Sequence, residues 1–166
     1  NRHYSEANAS KNTYLTFLEL FAKKQASLIA KWMGVGFIHG VMNTDNTSIS
    51  GETIDYGPCA FMDNYDPSTV FSSIDRHGRY AFGNQPQIAQ WNLASLAGCL
   101  LPLIDNNEDK AKDSVRKIIE DFSGIVNSDI SEVMCLKIGL NSKNKKSQES
   151  LKNLLALMKS SEADYT

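Results

Sequence analysis

Apolar residues recur with helical spacing along most of this chain, and this pattern predicts a mainly α-helical fold. In residues 14–33 the apolar side chains fall on one stripe while glutamate and lysine lie opposite, which is typical of an amphipathic helix. Gly34 and Gly36 follow and predict its end. The same reasoning predicts four further helices, over residues 88–104, 111–123, 130–139 and 148–159.

The second predicted helix begins near Pro86, because proline is tolerated in a first helical turn. Its apolar side chains point nearly all round, so we expect it to be central and buried. The stretch 141–147 between the last two helices is polar and is predicted to be a mobile linker.

Between the first two helices the sequence changes to short runs rich in Asn, Thr and Gly. Residues 47–50 and 53–55 favour two short strands joined by a tight turn at Gly51-Glu52. Residues 58–83 have no sustained period and are predicted to be irregular. The predicted fold class is therefore mainly α with a small β-hairpin.

Size and charge limit the kind of molecule. A chain of 166 residues with 42% hydrophobic and 22% charged residues fits one globular domain over 1–166. A net charge of −2 argues against a partner such as nucleic acid, whose binding needs many neutralised phosphates. Lys143, Lys145 and Lys146 stand among Asn and Ser, and we expect them in a solvated loop.

The cysteines indicate a reducing compartment. Cys59, Cys99 and Cys135 are odd in number and widely spaced, which does not suit a disulfide framework, and no Cys/His pair suggests zinc. The apolar stretch 93–104 is interrupted by polar and helix-breaking residues and is predicted to be too short to cross a membrane. Because the chain opens with Asn1-Arg-His rather than Met, we expect a piece of a longer protein.

Three polar residues point to phosphate chemistry. Phosphoryl or nucleotidyl transfer needs a carboxylate beside the acceptor hydroxyl and oxygen ligands that hold Mg²⁺ on the phosphates. Asp45 and Asn46 occupy a polar loop that begins at His39, and Asp55 follows with Tyr56-Gly57 behind it. The interval from Asn46 to Asp55 allows two short strands and a turn, which would bring amide oxygen and carboxylate back to one point.

The loop differs from that of ordinary protein kinases. In the kinase motif His-Arg-Asp-x-x-x-x-Asn an aspartate comes two residues after the histidine, but Val41 occupies that position here. Asp45 is the nearest carboxylate. Either the acceptor or the transferred group is therefore oriented differently, whereas an isolated Asp-Asn pair would only cap a turn.

Beyond these residues, positions 34–104 resemble the SelO (YdiU) family, pseudokinase-fold enzymes that transfer AMP from ATP to protein hydroxyls. The motifs that carry the resemblance are Val35-Gly-Phe-Ile-His-Gly-Val-Met-Asn-Thr-Asp-Asn46, Thr53-Ile-Asp-Tyr-Gly-Pro58, Phe61-Met-Asp63, Tyr65-Asp-Pro67, Gly78-Arg-Tyr-Ala-Phe82, Asn84-Gln-Pro86 and Trp91-Asn-Leu93. Weaker motifs at both flanks extend it over essentially the whole chain: Arg2-His-Tyr4, Lys137-Ile-Gly-Leu140 and Asp164-Tyr-Thr166.

The resemblance implies that the chain is the C-terminal lobe of a longer kinase-like enzyme. It implies that Asp45 accepts the proton of the protein hydroxyl, and that Asn46 and Asp55 bind Mg²⁺, with Mn²⁺ as the alternative metal. Asp55 would also reach the ATP phosphates through that metal. Family members hold ATP through an N-terminal lobe, and some carry a redox-active Cys or selenocysteine near the C-terminus. Neither region matches any part of this chain.

The implied function is protein adenylyltransferase activity toward Ser, Thr or Tyr hydroxyls, with ATP and proteins as partners and neither nucleic acid nor membrane. The implied location is mitochondrial in a eukaryote and cytoplasmic in a bacterium, and not secreted. The chain alone is expected to be inactive, because positioning needs phosphate contacts from both lobes. The alternatives are a phosphotransferase of the same fold and a non-catalytic scaffold.

Several other residues carry weaker expectations. His39 is expected to bond to the loop backbone rather than act as a base. Arg76 and Arg79 either meet phosphate or an acidic substrate, or form salt bridges with aspartates 63, 66 or 75. His77 is expected to be exposed, and Trp32 and Trp91 to belong to the core.

Overall fold

A computed structural model describes residues 2–166, and four α-helices form most of it. In chain order these are α1 (Thr13–Val35), α2 (Gln85–Ile104), α3 (Glu108–Lys137) and α4 (Lys145–Ser160). Two short strands, β1 (Phe37–Ile38) and β2 (Ala60–Phe61), and three 3₁₀ turns (Ser5–Ala9, Thr44–Asn46 and Phe82–Asn84) complete the described elements. The helices enclose one hydrophobic core, to which all four contribute.

Helix α1 is the centre of the fold and confirms the first predicted helix. The side chain of Asn12 caps it by accepting a hydrogen bond from the backbone N–H of Leu15. Its buried stripe includes Leu18 and Ile29. Gly36 ends the helix with a φ of 71°, and a Cβ there would lie 2.6 Å from the ring of Tyr165, so only glycine fits.

Helix α2 is also confirmed, with Pro86 in its first turn, but the prediction of burial all round is wrong. Ile88 and Leu93 are buried, whereas Trp91 is 50% exposed and Leu103 52% exposed. One side of α2 packs between α1 and α3, and the opposite side, which includes Trp91, is partly exposed. Trp91 is therefore not a core residue, while Trp32, at 8% exposed, is.

The prediction that the apolar stretch is too short to cross a membrane is also wrong. The helical stretch Phe82–Ile104 is long and apolar enough, by length and composition, to cross one. Core helices pass the same test, and α2 packs against α1 and α3. It also buries the polar side chains of Gln85 and Asn92.

Helix α3 replaces two predicted helices, and that prediction is wrong. The helix runs unbroken through Gly124, where sequence alone suggested an interruption. It packs along α1 and buries Phe122 and Val126 on either side of the glycine. This burial outweighs the roughly 1 kcal/mol by which glycine disfavours a helix interior.

Helix α4 begins inside the segment predicted to be a mobile linker. Asn144 caps it by accepting from the backbone N–H of Lys146, so residues 145–147 are helical and the linker is shorter than predicted. Lys143, Lys145 and Lys146 are exposed as expected, although two of them lie in the helix. The cysteines are free; Cys135 is buried, Cys59 half-buried and Cys99 exposed.

The small antiparallel pair exists, but not where the sequence predicted it. Phe37 pairs with Phe61 and Ile38 with Ala60, so the strands lie on either side of residues 39–59 rather than within them. Residues 47–55, predicted to form the hairpin, contain no strand. The fold is mainly α with one two-stranded antiparallel pair, and its kinase-like character stays a prediction.

Candidate active site

The β1–β2 pair closes a 21-residue excursion, residues 39–59, that carries every predicted site residue. Asp45 and Asp55 are exposed on it, and Asn46 is half-buried. Two carboxylates and an amide thus belong to one closed loop, with Asp45 and Asn46 in its first half and Asp55 in its second.

A 3₁₀ turn (Thr44–Asn46) presents Asp45 and Asn46. The side-chain nitrogen of Asn46 donates to the carbonyl oxygen of Val41 at 2.9 Å. This bond uses the donor end of the amide and leaves its oxygen available as a ligand, since an amide carries both functions. The sequence predicted Asn46 as a ligand, and its geometry suits that role.

The side chain of Asn92, on α2, hydrogen-bonds to both sides of this turn. The sequence did not predict this role for Asn92. Its side-chain nitrogen donates to the carbonyl oxygen of Met42 at 3.1 Å and to the hydroxyl of Thr47 at 2.9 Å. Met42 precedes Asp45 and Thr47 follows Asn46, so one buried amide fastens both ends of the turn. Its Oδ1 atom is buried without a partner among the described residues. Only its place in the motif Trp91-Asn-Leu93 hinted at a role.

Side chains of α1 and of the preceding segment hold the middle of the excursion. The four hydrogen bonds are Tyr4 hydroxyl to Ile49 oxygen (2.6 Å), Gln25 Nε2 to Ser48 oxygen (3.0 Å), Lys24 Nζ to Ser50 oxygen (3.3 Å) and Trp32 Nε1 to Thr53 Oγ1 (2.8 Å). The carbonyl oxygens of residues 48–50 are thus bonded to side chains that lie outside the excursion. These bonds hold the segment in a conformation other than a strand.

His39 joins the two halves of the site. Its backbone N–H donates to Gln85 Oε1, and its Nε2 atom lies 2.7 Å from the carbonyl oxygen of Ile54. A carbonyl can only accept, so Nε2 is the donor of this bond, and Nδ1 is buried without a partner among the described residues. The prediction that His39 bonds to the loop backbone is confirmed.

Asp55 has a backbone conformation that non-glycine residues seldom adopt. Its φ is 56°, in the left-handed region, and its carbonyl oxygen accepts from the N–H of Gly57 at 2.8 Å. Aspartate tolerates this region better than most residues, yet such strain persists mainly where the surroundings impose it, often at functional sites. Here the bond between His39 and Ile54 fixes the residue immediately before the strained one.

These ligands suit a metal that is shared with phosphates. Mg²⁺ is usually bound by one or two carboxylates together with substrate phosphates and water, not by an all-protein cage. Asp55 and Asn46 have the carboxylate and amide oxygens that such a partial set would need. Residues 2–166 contain no cluster of three His, Cys, Asp or Glu side chains that could hold a metal by themselves.

The arginines predicted to meet phosphate or aspartate lie beside the excursion. Asp75 accepts from the backbone N–H groups of Arg79 and Tyr80 at 2.8 Å each, and the Arg79 guanidinium lies over Trp91, 5.0 Å from the ring centroid. Neither Arg76 nor Arg79 forms a salt bridge within residues 2–166, so that alternative is wrong. His77 is exposed as predicted.

Comparison with known proteins decides the family. Residues 1–166 match the family described as Protein adenylyltransferase SelO. The chain belongs to the SelO family. SelO-family membership confirms the resemblance drawn from the motifs around Asp45 and Asp55.

Curated relatives agree with the SelO assignment. The chain is 57% identical over 165 residues to the Protein nucleotidyltransferase YdiU of Maridesulfovibrio salexigens, and 52% identical over the same length to the proteins of that name from Agrobacterium fabrum and Clostridium beijerinckii. Each match covers 99% of this chain but only 33% or 34% of the relative. The SelO chain thus spans about a third of these relatives, which are named as nucleotidyltransferases.

Proposed function

We propose that the protein containing this chain is a Mg²⁺-dependent protein adenylyltransferase that transfers AMP from ATP to Ser, Thr or Tyr hydroxyls. The observation that carries the proposal is that two exposed carboxylates, Asp45 and Asp55, lie on one closed excursion. Its two halves are joined through His39. Family membership and the names of the relatives support nucleotidyl transfer in general. The protein acceptor and the metal are our own extension.

Each residue has a separate task. The Asp45 carboxylate takes the proton of the acceptor hydroxyl as its oxygen attacks the α-phosphorus of ATP. The bond from the α-phosphorus to the bridging oxygen breaks, and pyrophosphate leaves. Asn46 and Asp55 would hold Mg²⁺, with Mn²⁺ as an alternative, and a bound ion would neutralise charge on the phosphates. Asn92 and His39 keep these three side chains in place.

The rest of the nucleotide site belongs to other parts of the protein. Catalysis by positioning requires the nucleotide to be held in one orientation, and a misplacement of about 1 Å can cost roughly 100-fold in rate. We therefore expect residues 1–166 alone to be inactive. The full-length protein is the object to test.

Labelled ATP tests the transferred group. The full-length protein is incubated with an acceptor protein and ATP labelled at either the α- or the γ-phosphate. Label retained on protein from the α position, with release of pyrophosphate, is the expected result. Transfer from the γ position alone would replace the proposal with a phosphotransferase.

Substitution of Asp45 separates an enzyme from a scaffold. Asp45→Asn should lower turnover by about 100-fold or more, since general-base groups contribute on this scale. Asp121→Asn, an equally exposed change on α3, is the matched control and should have no effect. If Asp45→Asn turned over at the wild-type rate, Asp45 would not be the base.

A further inference from the structure

A cleft of about 620 Å³ lies next to the candidate active site and has no assigned role. Its lining combines cationic and apolar side chains, which include Ile74, Arg76, Arg79, Tyr80 and Trp91. It is built from the irregular segment that precedes α2 and from the exposed side of α2 itself. Both elements stand outside the residues proposed for catalysis.

A hydrogen bond ties the cleft to the catalytic loop. The Tyr80 hydroxyl donates to the side-chain oxygen of Asn43 at 2.5 Å, across 37 positions of sequence. Asn43 precedes Asp45 by two residues, which is at most about 7 Å of chain. A polypeptide bound in the cleft would therefore pass close to the carboxylate that accepts the hydroxyl proton.

The cleft has uncompensated positive charge. Arg76 and Arg79 form no salt bridge within residues 2–166. Asp75 is the only acidic side chain in the lining, and both of its oxygens accept backbone N–H groups. These bonds also shape the turn that presents Arg79, whose guanidinium is held over the rings of Tyr80 (5.6 Å) and Trp91 (5.0 Å).

Apolar side chains are exposed beside this charge. Ile74 is 80% exposed, and Trp91 is 50% exposed even with Arg79 over its ring. Large exposed aromatic and aliphatic side chains beside arginine are typical of surfaces that bind polypeptides. The chemistry suits an occupant with a carboxylate next to a bulky apolar side chain.

We propose that this cleft binds a segment of the acceptor protein in which an acidic residue stands beside a bulky apolar one, at a fixed distance from the hydroxyl that receives AMP. Arg79 binds the carboxylate with help from Arg76, and Trp91 with Ile74 contacts the apolar side chain. The role of the cleft as an acceptor site rests on the proposed function. Binding of such a segment does not rest on it, so peptide binding and AMP transfer can be tested separately.

Peptide binding by the full-length protein tests the cleft directly. The probes are fluorescent peptides with a central serine and a neighbouring leucine, in which glutamate is moved through successive flanking positions, each compared with glutamine. Fluorescence anisotropy without ATP should show tighter binding for glutamate at one position, roughly 2- to 5-fold, because a partly exposed ion pair contributes on this scale. Higher salt should reduce the preference.

Variants assign the preference to the cleft. Arg79→Gln should abolish it and Arg76→Gln should reduce it, while binding of the glutamine peptides stays unchanged. Arg116→Gln, an exposed arginine on α3, is the control and should keep the full preference. In transfer assays with labelled ATP, Arg79→Gln should raise KM for the glutamate peptide by a similar factor and leave kcat unchanged.

Two results would overturn the proposal. In the first, the wild-type protein shows no preference for glutamate at any of the flanking positions. A cleft that is already filled by another part of the full-length chain would give this result, and it too would overturn the proposal. The other is a preference that survives in both arginine variants. Binding as expected without label transfer from α-labelled ATP would overturn the proposed activity and leave the cleft as a peptide site.

Discussion

The Nε2 atom of His39 lies 2.7 Å from the carbonyl oxygen of Ile54, and this bond joins the start of the excursion to the residue before Asp55. His39 is completely buried, and its ring packs 5.4 Å from that of Trp32. The position of Asp55 relative to Asp45 and Asn46 therefore depends on a side chain that hydrogen-bonds to Ile54 and to none of these three residues. We regard His39 as a positioning residue for the proposed metal site.

Replacing His39 with phenylalanine should lower the affinity for Mg²⁺ more than it lowers the rate at saturating Mg²⁺. His39→Phe keeps an aromatic ring against Trp32 but removes the donor to Ile54, and loss of such supporting bonds typically costs about 10- to 100-fold in metal affinity. The measurement is the Mg²⁺ concentration that gives half-maximal activity of the full-length protein. His3→Phe, at an exposed position outside the cleft, should leave it unchanged. An unaltered Mg²⁺ requirement in His39→Phe would exclude the positioning role.

The strained backbone of Asp55 should separate stability from activity. With φ at 56°, Asp55→Ala should lower the free energy of unfolding by about 1 kcal/mol, because a Cβ without a local hydrogen-bonding group disfavours the left-handed region. Asp55→Gly and Asp55→Asn should stay within about 0.5 kcal/mol of wild type, since glycine and asparagine adopt this region more readily.

Activity should fall in the glycine and alanine variants of Asp55 alike, by about 100-fold or more, because both lack the carboxylate. Denaturant unfolding and labelled-ATP assays on the same preparations give both quantities. If Asp55→Gly retained activity, Asp55 would be a conformational residue and not a ligand.

Asn92 should be required for activity through the two ends of the turn that it fastens. Asn92→Leu removes the bonds to Met42 and Thr47 and should lower kcat by about 10-fold or more, since small displacements of catalytic groups are costly. It should also destabilise the protein by about 1 to 3 kcal/mol, because buried polar partners lose their bonds.

The same helix offers a control for Asn92. Gln90 donates to the carbonyl oxygen of Ile119 on α3 at 2.7 Å, so Gln90→Leu breaks a comparable bond away from the turn. We expect it to destabilise the protein to a similar extent without lowering kcat. If the two variants lost activity in proportion to their lost stability, Asn92 would have only a structural role.

The roles predicted for Asp45, Asn46 and Asp55 stay predictions, and the structure shows only that all three lie on one excursion between β1 and β2. The hairpin between them was wrong because Tyr4, Lys24 and Gln25 bond to the backbone of residues 48–50 from 23 to 45 positions away. Contacts at such separations leave no periodic pattern.

The helices show the same division between local and distant causes. Helix α1 has a stripe and end signals within its own sequence, so its bounds were predicted to within two residues. Helix α3 was divided at Gly124 because the packing that keeps it continuous, the burial of Val126 along α1, comes from another element. The exposed side of α2 was not predicted, because apolar residues all round a helix do not show which of them lack a packing partner.

Tyr4 should make the excursion sensitive to alkali. Its ring is buried against Phe17, at 5.1 Å, and burial raises the pKa of the Tyr4 hydroxyl from 10.0 to about 12. Between these values the folded protein keeps a proton that the unfolded chain loses, so the free energy of unfolding falls as pH rises. The contribution is complete below pH 10 and is lost as the pH rises through about 12.

Unfolding by urea at several pH values from neutral to strongly alkaline measures this effect. Tyr4→Phe should be roughly 1 kcal/mol less stable than wild type near neutrality, since the bond to the Ile49 oxygen is lost, but should lose less stability in alkali. Tyr14→Phe, at a 43% exposed position on α1, should follow the wild-type curve. Because the Tyr4 hydroxyl donates to the excursion that carries Asp45, its ionisation removes a bond that holds the site. As the pH is raised, wild type should therefore lose activity at a lower pH than Tyr4→Phe. If both lost activity at the same pH, the hydrogen bond of Tyr4 would not contribute to the geometry of the site.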